Sequence, residues 1–464
     1  MVIQSEPTIA AIATPPGLGG IGIIRISGPS ALTILRKIFI PKKQTTEFTS
    51  HHLFYGWIKS PDTGQLLDEV LAVYMRAPHT YTRDDVVEIQ AHGSFTALQQ
   101  ILTLTQDAGA RLAEPGEFTK NAFLNGRLDL TQAEAVIELL QAKTAKGVRA
   151  AVNQLQGGLH SEIQEIIAML LQIKALIEVA IDFPDDEIEL LDADKLHSEM
   201  RQVVDTLQNL ISAADHGRIL REGLVAVIIG RPNVGKSSLL NTLLRVDRAI
   251  VTPVPGTTRD TIEEHLDIKG LPVKIIDTAG IREAAGEEIE NIGIMRSRAK
   301  LAEADLVILL LDSSMPLQKE DYRLVTDTKD KPRVLAANKE DIGRPDFVNE
   351  CKEAFPDQKI NMISAKNNTG IKPLKEAIFT KATGQKSTGW APEHAALPNI
   401  RHRAALVKAR NAGQDFITNL SGGVSPDLLA IDMQTILDNL GDIVGYTTTE
   451  DVLDKIFGQF CLGK

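Results

Sequence analysis

The sequence predicts a multidomain protein of mixed α/β and α+β class. It reads as an N-terminal α+β module, a helical domain made from two chain segments, and a parallel α/β domain inserted into it. Three observations lead there. A glycine loop at 230–237 sits between an apolar run and a helical one. The apolar period changes from strand-like before about residue 125 to helical between about 131 and 221. Helical patterning then returns after residue 399.

In the first 125 residues, the apolar stretches 21–26 and 70–75 read as strands and 97–109 as a helix. In the next segment, 126–221, Ile163, Ile166, Ile167, Leu170, Leu171, Ile173 and Ile177 fall at i, i+3, i+4, i+7 spacing and form one helical face. The turn Asp182-Phe183-Pro184-Asp185-Asp186 separates that helix from the next. The α/β pattern occupies 222–380, and a Gly/Ser/Pro stretch over 383–398 reads as its exit linker. The remainder, 381–464, completes the helical domain; a separate C-terminal helical domain is the alternative.

The glycine loop carries the first chemistry. Gly230-Arg231-Pro232-Asn233-Val234-Gly235-Lys236-Ser237 fits G-x-x-x-x-G-K-[ST] and follows the buried-strand run 224–229. The helical run from Ser238 follows it, so backbone N–H groups and a helix N-terminus face a phosphate. Lys236 would reach the β- and γ-phosphates, and the Ser237 hydroxyl would hold Mg²⁺. Asp277-Thr278-Ala279-Gly280 ends a second apolar strand, where an Asp can hold Mg²⁺ through water and a Gly N–H can meet a γ-phosphate. Asn338-Lys339-Glu340-Asp341 ends a third strand. The two acceptor oxygens of Asp341 match N1–H and the exocyclic amine of guanine, and adenine has the opposite polarity there. Ser364-Ala365-Lys366 follows a fourth strand and would support the base. Four such motifs in order, each after a strand, define a Ras-like P-loop GTPase domain and resemble the translation-factor-like branch of those enzymes.

Bulk composition narrows the rest. A chain of 464 residues with 43% hydrophobic content is long enough for two to four cored domains. A net charge of −11 provides no global basic field for nucleic acid, so an RNA contact needs a local patch or a partner's surface. Two cysteines, Cys351 and Cys461, are too few for a disulfide framework or a metal cluster. With no basic-then-apolar leader and no apolar run near 18 residues, the expectation is a cytoplasmic protein without a membrane segment.

Two features set the expected hydrolytic mechanism apart from Ras. In the loop Thr257-Thr258-Arg259-Asp260, Thr258 is the expected switch threonine on Mg²⁺ and near the attacking water. Ile281 stands where Ras-like enzymes place a water-orienting glutamine. The carboxylate-rich run Glu287-Glu288-Ile289-Glu290 lies just beyond; its acids are either an exposed helix start or catalytic. Asn233 either braces the phosphate loop or coordinates a monovalent cation in place of an arginine finger.

The whole chain resembles the tRNA modification GTPases of the MnmE (TrmE) family, within the TrmE-Era-EngA-like P-loop GTPases. The resemblance rests on both ends as well as the centre. It is carried by Ala13-Thr14-Pro15-Pro16-Gly17, Arg25-Ile26-Ser27-Gly28, the segment 85–93, and Pro115-Gly116-Glu117-Phe118-Thr119-Lys120 leading to Leu124-Asn125-Gly126-Arg127-Leu128-Asp129. The chain ends in Phe460-Cys461-Leu462-Gly463-Lys464, the family's C-x-G-K terminus. The resemblance implies an N-terminal domain that dimerises and binds 5-formyl-tetrahydrofolate or a related folate through Arg25, Glu88, Arg127 and Lys464. Arg127 replaces the family's frequent Lys, which keeps the charge but changes the donor geometry.

The resemblance also implies a potassium site on Asn233, Thr252, Val254 and Thr257, Mg²⁺ on Ser237 and Thr258, and Glu290 as the switch II glutamate. One extra residue near Ala285-Gly286 leaves Glu288 as the alternative register. The nucleotide-contacting set then comprises Asn233, Val234, Gly235, Lys236, Ser237 and Ser238; Thr252, Pro253, Val254, Pro255, Gly256, Thr257 and Thr258; Asp277, Thr278, Ala279 and Gly280; Asn338, Lys339, Glu340 and Asp341; and Ser364, Ala365 and Lys366. The catalytic set is Glu290, Thr258 and Lys236. The implied partners are tRNA, a second copy of the chain and the flavin protein MnmG (GidA). The implied reaction installs an aminomethyl or carboxymethylaminomethyl group at C5 of a wobble uridine, with the methylene drawn from folate. Cys461 is either a nucleophile for the uracil ring or a structural residue at a helix end. A ribosome-assembly GTPase of the Era or Der type is the competing reading; the two chain ends argue against it.

Overall fold

The computed structural model describes residues 7–43, 47–182, 192–247, 264–277, 303–384 and 397–464. The N-terminal region folds around strands β1 (Ile9–Ile12), β2 (Gly19–Ser27), β3 (Phe39–Pro41), β4 (His52–Lys59), β5 (Leu66–Met75), β6 (Val86–Gly93) and β7 (Arg111–Leu112). They form one sheet in the order β3-β4-β5-β6-β2-β1-β7. Helices α1 (Ala31–Ile38) and α2 (Phe95–Asp107) cover one face. Period-two alternation decides what each face carries. Ile24 and Ile26 of β2 and Val87 and Ile89 of β6 are buried against Ile34, Leu35, Ile101 and Leu102 of the helices. Arg25 and Glu88 lie between those residues, directly opposite one another in the antiparallel register, and face away from the helices.

Helices α3 (Glu117–Leu124), α4 (Leu130–Gln141), α5 (Ala145–Leu155), α6 (Gly158–Asp182) and α7 (Ala193–Glu222) follow. After the α/β insertion come α12 (Ile400–Ser421), α13 (Pro426–Val444) and α14 (Glu450–Phe457). Ile163, Ile166, Leu170 and Ile173 of α6 share one core with Leu207 of α7, Phe416 of α12 and Met433 of α13. The segments before and after the insertion therefore pack as one bundle. The face expected on α6 is narrower than its sequence pattern. Leu171 is exposed and Ile167 half-buried, because the partner helices cover only the 163-166-170-173-177 stripe.

The insertion is a parallel sheet ordered β13-β12-β11-β8-β10-β9. Its strands are β8 (Leu224–Ile229), β9 (Glu264–Ile268), β10 (Leu271–Asp277), β11 (Leu306–Asp312), β12 (Arg333–Asn338) and β13 (Ile360–Met362). Only the β9–β10 pair is antiparallel among the described strands. β11 is buried along its whole length, as a central parallel strand covered on both faces must be. One face packs under α8 (Lys236–Asp247) and α11 (Ile371–Thr383), the other under α9 (Lys319–Asp327) and α10 (Phe347–Ala354). Connections leave β8 to both sides, so a crevice opens at the C-terminal ends of the strands.

Candidate functional sites

The phosphate loop is held open by its backbone and tied down from below. Gly235 has φ +98°, and a Cβ there would lie 2.3 Å from the Asn338 amide nitrogen. Only glycine fits that approach. Asn338 donates to the Val234 carbonyl at 2.8 Å and accepts from the Ala365 N–H at 2.9 Å, joining three motifs through one side chain. Ser364 Oγ donates to Asp341 Oδ1 at 2.7 Å, which fixes the carboxylate expected to read the base. Lys236 Nζ donates to the carbonyls of Gly230 and Arg231 at 2.9 and 2.8 Å. The ammonium thus lies folded over the loop whose ligand it is expected to grip. Ser237 and Ser238 open α8 with exposed side chains, and Asn233 is exposed with φ +64°. Lys366 and Glu340 face solvent.

Two buried acids brace this crevice, and neither belongs to a recognised motif. Asp312, at the end of β11, holds Lys339 Nζ at 2.6 Å and accepts from the Ser314 backbone at 3.0 Å. Burial pushes its carboxyl up, but Lys339 and Ser314 outweigh that and keep it below the ordinary range. Asp321, on α9, pairs with Arg231 of the phosphate loop at 2.8 Å. The only sequence signal for either was an acid at a strand end or in a first helical turn. Thr252, Pro253, Val254, Pro255, Gly256, Thr257, Thr258, Thr278, Ala279, Gly280 and Glu290 lie outside the described residues. Asp277 ends β10, and its side chain lies outside them too.

The second site gathers residues from both ends of the chain. Arg25 Nε donates to Glu88 Oε1 at 2.8 Å, and Arg25 also donates to the carbonyl of Gly463 at 3.2 Å. The Lys464 carbonyl accepts from the Phe118 N–H at 3.2 Å. Gly463 has φ +88°, and a Cβ there would be 2.5 Å from the Ile12 carbonyl, so only glycine lets the tail lie this close to β1. Helix α14 delivers the tail: Leu453, Phe457 and Phe460 are buried against Ala122, Leu128 and Leu130. Thr449 precedes the helix as its N-cap residue, although its hydroxyl caps nothing. Lys464 is half-buried; burial first, and then Arg25, lower its pKa, against the pull of Glu88.

Sequence reasoning missed Tyr81. Arg127 lies over its ring at 4.9 Å and Arg25 at 5.9 Å, while its hydroxyl meets Thr119 Oγ1 at 3.0 Å. The aromatic ring therefore joins Arg127 to the Arg25–Glu88 pair. No spacing rule marks a tyrosine in a polar loop, so the sequence offered no signal for it. Cys461 is exposed beside this tail.

The fold and the crevice define a P-loop nucleotide-binding protein of the GTPase class, carrying an additional N-terminal module that closes over its own C-terminus. The family description "GTP-binding protein TrmE N-terminus" matches residues 8–127, and "MnmE helical domain" matches residues 130–461. The tRNA modification GTPase MnmE of Desulfotalea psychrophila is 50% identical over 462 residues, covering 98% of this chain and 98% of that protein. Its counterpart in Thermoanaerobacter pseudethanolicus is 45% identical over 460 residues, covering 98% and 99%. That of Acetivibrio thermocellus is 44% identical over 463 residues, covering 100% of both. The chain belongs to the tRNA modification GTPase MnmE family.

Proposed function

We propose that this protein is a K⁺-dependent GTPase of the cytoplasm that works with a flavin protein of the MnmG (GidA) type. Together they modify C5 of the wobble uridine of certain tRNAs to an aminomethyl or carboxymethylaminomethyl form, using a folate one-carbon unit. The division into 1–125, 126–221, 222–380 and 381–464 assigns folate binding and dimerisation to the first part and GTP to the third. The observation that carries the reading is the meeting of Arg25, Glu88 and the terminal Gly463-Lys464 in a chain that also holds the complete phosphate loop. A GTPase switch alone has no use for a second polar site closed by its own last residues.

The donor set suits a folate. Glu88 accepts from amide-like N–H groups of a pterin, while Lys464 and Arg127 suit its glutamate carboxylates. A bound folate would supply the one-carbon unit. The chain's residues would orient it, and Tyr81 would hold Arg127 in place. In the crevice, Lys236 would exchange its two loop carbonyls for phosphate oxygens. Ser237 and Thr258 would hold Mg²⁺, and Asn233, Thr252, Val254 and Thr257 would hold K⁺. These cations would neutralise charge developing on the phosphates, the role that an arginine finger has in other GTPases. Glu290 would orient water.

A second copy of the chain suits the open face of the N-terminal sheet. Leu53, Tyr55 and Leu71 are exposed there, and the row Leu53–Val73–Glu88–Arg25 runs straight into the site. Nucleoside analysis of tRNA from a deletion strain tests the function. The modified wobble uridine should vanish and return with the wild-type chain. An unchanged nucleoside profile in the deletion strain would reject the reading.

A further inference from the structure

The inserted α/β domain joins the helical bundle at a neck where the chain leaves and re-enters it, and one arginine spans it. The chain leaves the bundle at the end of α7 and returns at Leu397-Pro398 before α12. Arg221, in the last turn of α7, donates to the carbonyl of Leu397 at 2.9 Å and to that of Pro398 at 2.8 Å. A guanidinium is a planar fork, so it can tie the outgoing and returning segments together in a way an ammonium cannot. Its third nitrogen, Nε, lies 3.6 Å from Glu138 of α4. The acid side chain is 12% exposed and the arginine 21%. Leu220 and Leu397 pack beside them and line a small cavity with Gly147 and Ala151 of α5.

Helix α4 leads from this neck to the second site. Its twelve residues span about 18 Å. It starts two residues after Leu128, next to Arg127. Asp129 caps it, accepting from the N–H groups of Thr131 and Gln132 at 2.8 and 3.1 Å. Leu130 lies in the cluster that seats Phe457 and Phe460 of the tail. One turn before Glu138, Glu134 takes a two-point bond from Arg401 of α12 at 2.8 Å on each oxygen. His402 Nε2 lies 2.6 Å from the same carboxylate. Helix α4 is therefore pinned at its start by the cap, in the middle by α12, and at its end by the neck. A second contact reaches the same region from the other side. Thr144 Oγ1 donates to the carbonyl of Gly270 at 3.1 Å, in the turn between β9 and β10. Gly270 has φ +87°, and a Cβ there would lie 2.3 Å from Lys146 Cδ. From that turn β10 runs directly to Asp277 at the nucleotide crevice.

We propose that Arg221 and Glu138 are positioning residues that fix the nucleotide domain to α4, so that guanine-nucleotide binding and folate binding are thermodynamically coupled through this helix. The inference rests on the reading that both sites bind those ligands. A rigid element held at both ends transmits displacement; one released at an end does not. Coupling of this kind is a free energy shared by the two sites and is reciprocal. Burial raises the Glu138 carboxyl to about 7, only partly opposed by Arg221 and reinforced by Glu134. Glu138→Gln keeps the size of the side chain and removes the charge that faces Arg221 at 3.6 Å, so it loosens the contact without opening the core.

The test uses the full chain and 5-formyl-tetrahydrofolate as the probe, titrated with GDP bound and with a non-hydrolysable GTP analogue bound. In the wild type the two folate Kd values should differ by about fivefold or more, the lower end of typical coupling. In Arg221→Ala and Glu138→Gln the ratio should fall to near one, while each ligand's Kd measured alone stays within about twofold. Arg221→Lys, which keeps the charge and loses the fork, should fail to restore the ratio. If Arg221→Ala does not fold, Gly270→Ala strains the φ +87° turn that carries the second contact and should lower the ratio too. Both ligands bound in the wild type with a ratio of one, or variants that keep the full wild-type ratio, would overturn the coupling alone. No folate binding to the wild type would overturn the site reading and the coupling with it.

Discussion

The nucleotide crevice and the Arg25 site are built in opposite ways. The crevice is assembled from short contiguous motifs, each at the end of a parallel strand, and much of its binding surface is backbone. The Arg25 site joins residues 438 positions apart, through the Arg25 side chain to the Gly463 carbonyl and the Phe118 N–H to the Lys464 carbonyl. A crevice of the first kind is fixed once its sheet forms. A site of the second kind exists only when the last helix has docked. The two should therefore fail differently when cut.

The sharpest break in that comparison is deletion of 461–464. It removes the Gly463 carbonyl from Arg25 and the Lys464 carbonyl from Phe118, and among the described residues it touches nothing in the crevice. On the proposed function, wobble-uridine modification should be abolished while GTP hydrolysis stays within about twofold. Cys461→Ser refines the result: lost modification with folate binding intact supports a nucleophile, and full modification leaves the tail a closing role. A GTPase defect in the deletion would show that the two regions are not built independently.

Next in size is Asp341→Asn. The amide presents a donor where guanine needs an acceptor, and Ser364 loses its charged partner. GTP affinity should drop by about 2–4 kcal/mol and xanthosine triphosphate should become the better ligand. The readout is competition for a fluorescent nucleotide; equal preference before and after would remove Asp341 from base recognition. Folate affinity measured without nucleotide should not change.

This contrast also governs what the sequence could tell. The crevice was legible because its geometry is local: a strand, a glycine loop and a helix place Gly235, Lys236 and Ser237 without reference to the rest of the chain. Arg25, Glu88, Arg127 and Lys464 were reachable only through family resemblance, since no spacing places residue 25 against residue 463. Strand register sets Arg25 against Glu88, and tertiary packing of Leu453, Phe457 and Phe460 brings the tail to them. The bracing residues were illegible for a related reason. Asp312, Asp321 and Tyr81 act on partners 27, 90 and 46 positions away, through contacts that no pattern announces. The neck was half-read: helical patterning on both flanks of the insertion was visible, the Arg221 fork was not.

A smaller effect separates the tail's shape from its charge. Lys464→Ala keeps Gly463 on Arg25, so the site stays closed, and loses only the half-buried ammonium. Folate affinity should weaken about tenfold, the scale of one charge-assisted hydrogen bond, with nucleotide affinity unchanged. Calorimetric titration of both ligands decides it. No change in folate affinity would assign the tail's contribution to closure alone.

The smallest expected effect lies between the two regions, at Glu138. Its folded-state pKa of about 7 exceeds the unfolded value near 4.3. The folded protein therefore holds a proton that the unfolded chain has released. The stability from this group is complete below about pH 4.3 and is lost as the pH rises through 7. At about 1.4 kcal/mol per unit the upper bound is near 4 kcal/mol, with the opposing pull of Arg221 already contained in the folded-state value. Glu138→Gln carries no such proton, so its advantage in Tm over the wild type should grow from about pH 4.5 to 7 and then stay level. A difference in Tm that is flat across this range would mean that Arg221 already holds Glu138 ionised, making the neck a permanent ion pair rather than a proton-sensitive one.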